Sequence, residues 1–393
     1  MSTNRLPRLH VMQESQLGED SWHSLLISLL RGLAALQVAA AHMRSEFFPG
    51  MRTIEDPTLW YQALAFFTGF AHQAVIVFFL ISGWLVGGSF LNKRGQPDAI
   101  RSYAIDRITR LWTVMVPTFV LILAFGILTG AIDPRSLDFS TSNAYSLTAF
   151  AGNLTGMQTI LVPAFGENFP LWSLANESWY YLLFPLLVLT CTARRRAIAA
   201  VLLVLCMLLL PVTMVLYFSL WLMGAAFSRI RIECGATTRC VLAAMLVVLS
   251  VHFRVNGSTV AIDVSSFGTY LLMSVVLMLL LSSTIVKPAA SSRVARPLGK
   301  AASFLSNFSF TLYVVHVPVL HMLQWLGEHL FGRTMLRPDH IADLGVYVVM
   351  LGIVVGFSYG FYRLFEARTY QVRRSLKRFI AGGKPLRAAP AKP

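Results

Sequence analysis

A positive charge and a base lie in apolar sequence near the start of the chain. Arg31 interrupts the apolar run from Leu25 to Ala41, and His42 follows that run directly. At about 100° per residue, the eleven steps from Arg31 to His42 amount to roughly three helical turns, so both side chains share one helix face. Their axial separation is about 16 Å, which puts His42 near the midplane of a bilayer if Arg31 is interfacial. Ionisable groups at that depth usually serve a functional site, although a snorkelling Arg and a hydrogen-bonded His also fit.

A carboxylate and a Tyr–His pair occur in two later apolar segments. Glu177 lies about 10 Å inside the helix predicted over LWSLANESWYYLLFP, with Ser173 one turn above it. Tyr313 and His316 are three residues apart and therefore share a helix face, and His316 is expected at nearly the depth of Glu177. Pro318 removes a backbone hydrogen bond, as is common where a membrane helix bends around a cavity. Together with Arg31 and His42, these side chains predict a polar path across a membrane.

A further intramembrane histidine, His72, lies in the apolar stretch that also contains Ser82 and Gly83. A histidine at that depth is costly, whereas a Ser-Gly pair alone is explained by close helix packing. A metal site formed by His42, His72 and His316 is geometrically possible, but the sequence has no recognisable metal-ligand spacing.

Two arginines precede the third apolar segment, in DRITRL. Arg107 and Arg110 are three residues apart, so they face the same way at the start of a helix. Such a pair at a membrane surface binds lipid headgroups or grips the phosphates of a soluble ligand, since the guanidinium suits bidentate phosphate recognition. The residues alone leave both options open.

The elements that position these residues are predicted to be membrane helices. Of the 393 residues, 56% are hydrophobic and 13% are charged, and the mean hydropathy is +0.63. A soluble domain carries about 25% charged residues. The pattern predicts an all-α, polytopic integral membrane helix bundle of about ten transmembrane helices, over residues 24–46, 61–90, 111–131, 171–192, 197–216, 217–230, 240–255, 266–286, 302–325 and 343–365.

The distribution of positive charge predicts the orientation of this bundle. With the N-terminus inside, 27 of the 33 Lys and Arg residues fall in inner segments, so both termini are predicted to be cytosolic. The net charge of +15 is therefore a topology signal, and no nucleic-acid-binding motif accompanies it. We expect a cytosolic tail over 1–23, a transmembrane domain over 24–370 and a basic cytosolic tail over 371–393 that lies on anionic lipid. Residues 145–169 are expected outside, as an interfacial or re-entrant segment, because Gly and Pro interrupt them.

Five segments, in order, resemble motifs of acyltransferase family 3, the membrane O-acyltransferases of bacterial polysaccharide and lipopolysaccharide modification. They are RGLAALQVAAAH from Arg31, FFLISGWLV from Phe78, RITRLW from Arg107, LWSLANESWYYLLFP from Leu171 and FSFTLYVVHVPVL from Phe308. Trp84 replaces the usual Phe of the second motif, and Thr113 replaces the Pro that often follows the third. The ordered set covers most of the chain.

The resemblance implies an inner-membrane (plasma-membrane) enzyme that moves an acyl group from cytosolic acyl-CoA to a hydroxyl of a surface or exported glycan. The acyl group is expected to be acetyl, with no permanently bound cofactor and no extracytoplasmic hydrolase domain. Polysaccharide-synthesis machinery is a possible partner, besides the lipid bilayer. The implied roles are His42 as general base, Glu177 as the group that orients the acceptor or the base, Arg31, Arg107 and Arg110 as ligands of the CoA phosphates, and Ser82, Trp172, Ser173, Tyr313 and His316 as substrate-binding residues.

Two alternatives remain open on the sequence. The acceptor of the same reaction could be a small hydroxylated metabolite, such as an antibiotic. A proton-coupled transporter could use His42, His72, Glu177 and His316 as a proton relay. A transporter has no need of the arginine pair, but ten membrane spans suit both classes of protein.

Overall fold

The computed structural model describes residues 7–15, 21–132, 138–192, 194, 196–256, 264–286 and 295–380. Parts of three predicted segments lie outside the described residues: positions 1–6 and 16–20 of the N-terminal tail, positions 381–393 of the C-terminal tail, and positions 287–294 of an inner loop.

Helices make up nearly all of the described structure. In chain order they are α1 (Trp22–Phe47), α2 (Leu59–Phe67), α3 (Ala71–Ser82), α4 (Gly88–Lys93), α5 (Ala99–Leu128), α6 (Leu147–Leu154), α7 (Leu171–Thr192), α8 (Arg196–Leu209), α9 (Val212–Phe227), α10 (Ala236–Asn256), α11 (Val264–Ser283), α12 (Ala295–Asn307), α13 (Ser309–Phe331), α14 (Ile341–Leu364) and α15 (Thr369–Ile380). Two short strands are present among the described residues, β1 (Arg8–Val11) and β2 (Ile230–Glu233), together with a π-helical turn and three short 3₁₀ helices (Met51–Thr53, Phe165–Glu167 and Glu366–Arg368).

The predicted class of fold is confirmed: the chain is a polytopic helical membrane protein. Within the described residues, seven helical segments are long and apolar enough to cross a membrane. Helices α7, α8 and α9 occupy the other three predicted spans. Three predicted spans are not single helices: 61–90 is interrupted between α2 and α3, 197–216 is divided between α8 and α9, and 302–325 is divided between α12 and α13.

Contacts between distant segments define two ends of the bundle. We call the end that holds the segments predicted inside the proximal end, and the opposite one the distal end. At the proximal end, β1 pairs antiparallel with β2, and the ring of His23 at the start of α1 hydrogen-bonds the carbonyl of Leu281 near the end of α11 (2.9 Å). At the distal end, the amide of Leu336 donates to the carbonyl of Phe47 (2.7 Å). Segments that the charge pattern assigned to one side of the membrane therefore lie at one end of the bundle.

Helices α3 and α9 touch through their backbones. A Cβ atom at Gly83 would lie 1.9 Å from the carbonyl oxygen of Trp221, and one at Gly224 would lie 2.0 Å from that of Leu80. Only glycine fits at such distances. The chain is π-helical from Gly83 to Gly87, directly after Ser82, and π-helical turns often occur at functional sites. The close crossing fixes Ser82 against α9.

Residues 145–169 run along the bundle and do not merely cap it. The indole of Trp112, in the middle of α5, donates to the carbonyl of Leu154 (3.0 Å). The indole of Trp179, eight residues into α7, donates to the carbonyl of Gly156 (3.0 Å). The segment therefore reaches the middle of both helices, and of the two predicted forms it takes the re-entrant one.

This segment also supplies a hydrogen-bond donor that α13 lacks at Pro318. Pro318 has no N–H, so the carbonyl of Val314, four residues earlier, lacks its helical donor. The side-chain amide of Asn168 donates to that carbonyl instead (2.9 Å). The hydrogen bond attaches the re-entrant segment to α13 two residues before His316.

The described part of the predicted C-terminal tail is helix α15, which packs along α5. Lys377 Nζ lies 2.7 Å from Asp106 Oδ1, and the guanidinium of Arg373 lies 3.4 Å from the same oxygen. Its exposed side carries Tyr370 and Phe379 among further basic residues. Amphipathic helices of this kind lie in membrane interfaces.

Candidate active site

A cavity of about 330 Å³ opens among α1, α3, α5, α7 and α13, and we call it the proximal cavity. Ligand sites typically occupy about 300–1,000 Å³ and combine apolar walls with a few convergent polar groups. Seven of the predicted site residues line this cavity: Arg31, Ser82, Arg107, Arg110, Ser173, Glu177 and Tyr313. The fold thus brings together residues that are up to 282 positions apart in the chain.

Glu177 is held in a fixed orientation in the proximal cavity. Its Oε1 accepts hydrogen bonds from Ser82 Oγ (2.6 Å) and from the hydroxyl of Tyr181 (2.5 Å). The indole of Trp221 donates to Ser82 Oγ in turn (3.2 Å). Because Ser82 and Tyr181 orient one oxygen of the carboxylate, the other is left to act on a ligand.

Arg107 lies against aromatic rings in this cavity. Its guanidinium carbon lies 5.6 Å from the ring centre of Tyr181 and 5.8 Å from that of Tyr103, within the range of cation–π attraction. Its Nε is buried without a hydrogen-bond partner. Aromatic rings position a guanidinium without occupying its N–H donors, so Arg107 remains able to bind an anion.

Arg110 differs from Arg107 because it already has a carboxylate partner. Its Nη1 lies 2.7 Å from Oε1 of Glu366, whose side chain is only 2% exposed. The other oxygen of Glu366 accepts from the hydroxyl (2.5 Å) and the amide (3.2 Å) of Thr311. The pair ties the end of α14 to α5 and α13, which is a positioning role.

Arg31 lines the cavity on the side of the α12–α13 junction, together with Ser306 and Asn307. Within the described residues, no hydrogen bond or ion pair occupies its guanidinium. An arginine without a partner in a membrane helix is expensive, so its position in a cavity points to a bound anion.

We expect Arg110→Ala to reduce stability more than Arg107→Ala does. Removing Arg110 leaves Glu366 buried without a cation, which costs about 3–5 kcal/mol, with the lower end expected because Arg110 is 31% exposed. Adding Glu366→Gln removes the orphaned charge and keeps the hydrogen bonds with Thr311, so it should restore most of the loss. Thermal unfolding of detergent-solubilised protein, followed by size-exclusion chromatography, measures this. Equal losses for both single variants would contradict the assignment.

His42 and His316 form a hydrogen-bonded pair. Nδ1 of His42 lies 2.9 Å from Nε2 of His316, and Nδ1 of His316 lies 3.1 Å from the carbonyl oxygen of Leu312. Since a carbonyl only accepts, Nδ1 of His316 carries a proton and its Nε2 accepts from His42. His42 therefore presents Nε2, with its lone pair, away from His316. That is the arrangement of a general base oriented by a second residue.

The histidine pair adjoins the proximal cavity through Tyr313. Its ring lines the cavity, and the ring centre lies 6.0 Å from that of His316. The hydroxyls of Tyr313 and Ser173 are hydrogen-bonded to each other (2.7 Å). The cavity thus ends at two hydroxyl groups beside a candidate base.

Three predicted residues lie elsewhere than expected. Trp172, expected to bind substrate, packs against Tyr217 (5.4 Å between ring centres) and is not among the residues that line the cavity. His72 hydrogen-bonds Tyr217 (3.0 Å) and lies apart from the histidine pair. Glu177 was expected at the depth of His316, but it lies with the three arginines.

Sequence reasoning missed Glu366 and Trp221. Glu366 follows the last predicted span and belongs to none of the five motifs, so only its position as a lone carboxylate beside a membrane helix could have singled it out. Trp221 is one aromatic residue in a continuous apolar segment. Nothing local distinguishes it from a packing residue.

Comparison with known proteins agrees with these observations. A family model described as an acyltransferase domain matches residues 26–363, which is nearly the whole chain. No curated protein and no solved structure matches. With this match over almost its whole length, and with the arginines, the carboxylate and the histidine pair gathered in one membrane bundle, the chain belongs to acyltransferase family 3.

Proposed function

We propose that this membrane acyltransferase moves an acetyl group from acyl-CoA to a hydroxyl of a surface or exported glycan. The observation that carries the proposal is the cavity that brings two available arginines together with Tyr313, whose ring centre lies 6.0 Å from that of His316 in the His42–His316 pair. The reaction needs phosphate recognition for the donor and a base for the acceptor hydroxyl, and the cavity supplies the first and adjoins the second. Acetyl as the acyl group, acyl-CoA as the donor and a glycan hydroxyl as the acceptor are all proposed identities.

The donor half of the site consists of Arg31, Arg107 and the supports around them. Arg31 and Arg107 form no direct ion pair with a carboxylate in the described part of the chain and would bind the CoA phosphates, with charge-assisted hydrogen bonds. Arg110 would act indirectly, by holding the inner ends of α5 and α14 together. Glu177 lies in this half, so its free oxygen would accept a hydrogen bond from the pantetheine arm, which carries amide N–H groups.

The reaction would take place between the end of the proximal cavity and the histidine pair. His42 Nε2 would accept the proton of the acceptor hydroxyl as the oxygen attacks the thioester carbonyl. The hydroxyls of Ser173 and Tyr313 share one hydrogen bond, so one proton of the pair would remain to be donated to the developing oxyanion. The C–S bond then breaks, the ester C–O bond remains, and His42 returns the proton to the departing CoA thiolate.

The proximal end of the bundle would face the cytosol, where acyl-CoA occurs, and the membrane would be the inner membrane. The positive charge at this end supports that orientation. The distal end would face the acceptor and any polysaccharide-synthesis machinery that delivers it. A small hydroxylated metabolite remains the second candidate acceptor. The transport alternative loses support, because His72 lies apart from the other relay residues and the family is one of acyltransferases.

The test uses the full-length protein in proteoliposomes with acetyl-CoA labelled in the acetyl group. We expect release of free CoA thiol that depends on an added glycan fraction, with an equal amount of label in that fraction. Protein-free liposomes are the control. Uptake of a solute without any release of CoA would instead support a transporter, and the proposal would fail.

A further inference from the structure

A second cavity, of about 640 Å³, lies at the distal end, and we call it the distal cavity. It is bounded by the last turns of α5, by the re-entrant segment and by the distal half of α13. No residue of the proposed donor site lines it.

Two stretches of chain run from the proximal cavity, past the histidine pair, to the distal cavity: α13, and the re-entrant segment continued by α7. Along α13, Tyr313 lines the proximal cavity, His316 contacts His42, and Pro318 and His321 line the distal cavity. The re-entrant segment and α7 follow the same order in reverse. Glu167 lines the distal cavity, the ring of Phe169 lies 4.7 Å from that of His42, and Ser173 lines the proximal cavity. The base therefore lies between the two cavities.

The lining of the distal cavity suits a ligand with many hydroxyl groups. Trp325 and Tyr145 offer aromatic surface, which packs against the C–H face of a sugar ring. Gln324, His321, Glu167 and Glu328 offer hydrogen-bond donors and acceptors. No Lys or Arg is found among the described residues that line it, so it lacks the phosphate recognition of the proximal cavity.

Glu167, in the wall of the distal cavity, has a strained backbone conformation. Glu167 has a φ of 57° and follows Gly166, whose φ is 60°. A left-handed conformation is unusual for a residue with a side chain, and such outliers concentrate at binding and active sites. Here the two left-handed residues form part of the cavity wall.

We infer that the distal cavity binds a carbohydrate ring of the acceptor, next to the hydroxyl group that is acetylated. Trp325 would pack against the ring, and Glu167 and Glu328 would accept hydrogen bonds from its hydroxyls. This inference rests on the proposed acyl transfer and adds where, and by which residues, the acceptor is held. It also gives the two substrates separate sites on either side of His42.

The test compares Trp325→Ala and the double variant Glu167→Gln, Glu328→Gln with Phe331→Ala. Phe331 lies on the same helix, is 76% exposed and does not line the cavity, so it is a matched control. Cells that express each full-length variant are assayed for acetyl groups in their carbohydrate fraction and in their small-metabolite fraction. The purified variants are titrated with CoA. We expect Trp325→Ala to lower carbohydrate acetylation about tenfold or more, as the loss of a central aromatic contact does, with unchanged CoA affinity.

Normal carbohydrate acetylation by Trp325→Ala and by the double variant would overturn the inference while leaving the acyltransferase function intact. If wild-type cells carry the added acetyl groups only in the small-metabolite fraction, the carbohydrate assignment would be overturned. A wild-type protein that binds no CoA and transfers no acetyl group would refute the proposed function itself, so the two failures are distinguishable. A loss of CoA affinity in Trp325→Ala would also count against the inference, because it would show that the cavities are not separate sites.

Discussion

His42→Ala should lower acyl transfer by roughly 10²–10⁴-fold, the usual effect of removing a general base. The affinity for CoA should stay unchanged, because His42 does not line the proximal cavity. Substitution removes the Nε2 lone pair that takes the proton from the acceptor hydroxyl. His316 should remain in place, since its Nδ1 still donates to the carbonyl of Leu312. The loss would therefore appear in turnover and not in donor binding.

The measurements are the acetyl content of the glycan fraction and CoA binding by the same purified preparation. His72→Gln is a matched control, because His72 is also a histidine hydrogen-bonded inside the bundle but lies away from the site. His316→Gln should have a smaller effect than His42→Ala, because it loosens the orientation of His42 without removing the base. Wild-type acetylation by His42→Ala would refute the mechanism.

Arg31→Ala combined with Arg107→Ala should weaken CoA binding by roughly 10²–10⁴-fold. Each hydrogen bond to a charged group is worth about 1.5–3 kcal/mol, and two guanidiniums are removed. Among the described residues, neither arginine forms a direct ion pair with a carboxylate, so neither change breaks a contact like the one between Arg110 and Glu366. The double variant should therefore fold normally, unlike Arg110→Ala.

Calorimetric titration of detergent-solubilised protein with CoA measures this loss. Arg254→Ala is the control, because Arg254 donates to the carbonyl of Ala65 (2.9 Å) at the opposite end of the bundle. Replacing Arg31 and Arg107 by Lys should recover only part of the affinity, since an ammonium lacks the bidentate geometry of a guanidinium. An unchanged affinity in the double Ala variant would mean that these arginines bind lipid headgroups.

Much of the architecture was predictable because membrane helices have local signatures in the amino-acid sequence. Apolar runs of sufficient length mark the helices, and the face shared by Arg31 and His42 follows from helical periodicity. The structure agrees with that face, since Arg31 lies near the α12–α13 junction and His42 contacts α13. The shared motifs and the cost of polar groups in a membrane also account for the meeting of four polar residues in one cavity: Ser82, Ser173, Glu177 and Tyr313.

Long-range pairings could not be predicted in the same way. The bond between His42 and His316 joins residues 274 positions apart, and periodicity says only which face each occupies. The pairing of Arg110 with Glu366 depends on how α14 ends, for which there is no local signal. That pairing changes the role of Arg110, which the sequence grouped with Arg107 because their spacing is helical. The depth of Glu177 was misjudged because the start of α7 was taken as the membrane surface, whereas the re-entrant segment packs beside it.

The hydrogen bond from Asn168 to Val314 sets a limit on how an acceptor can enter and leave. If the re-entrant segment lifted away, the Val314 carbonyl would lose its substitute donor in apolar surroundings, at a cost of about 1–3 kcal/mol. Even if no other contact opposed this movement, only about 1–15% of molecules would be open by that route at equilibrium. A polymeric acceptor that waited for this opening would meet a closed enzyme in most encounters. We therefore expect the acceptor to enter and leave the distal cavity while the re-entrant segment stays attached to α13.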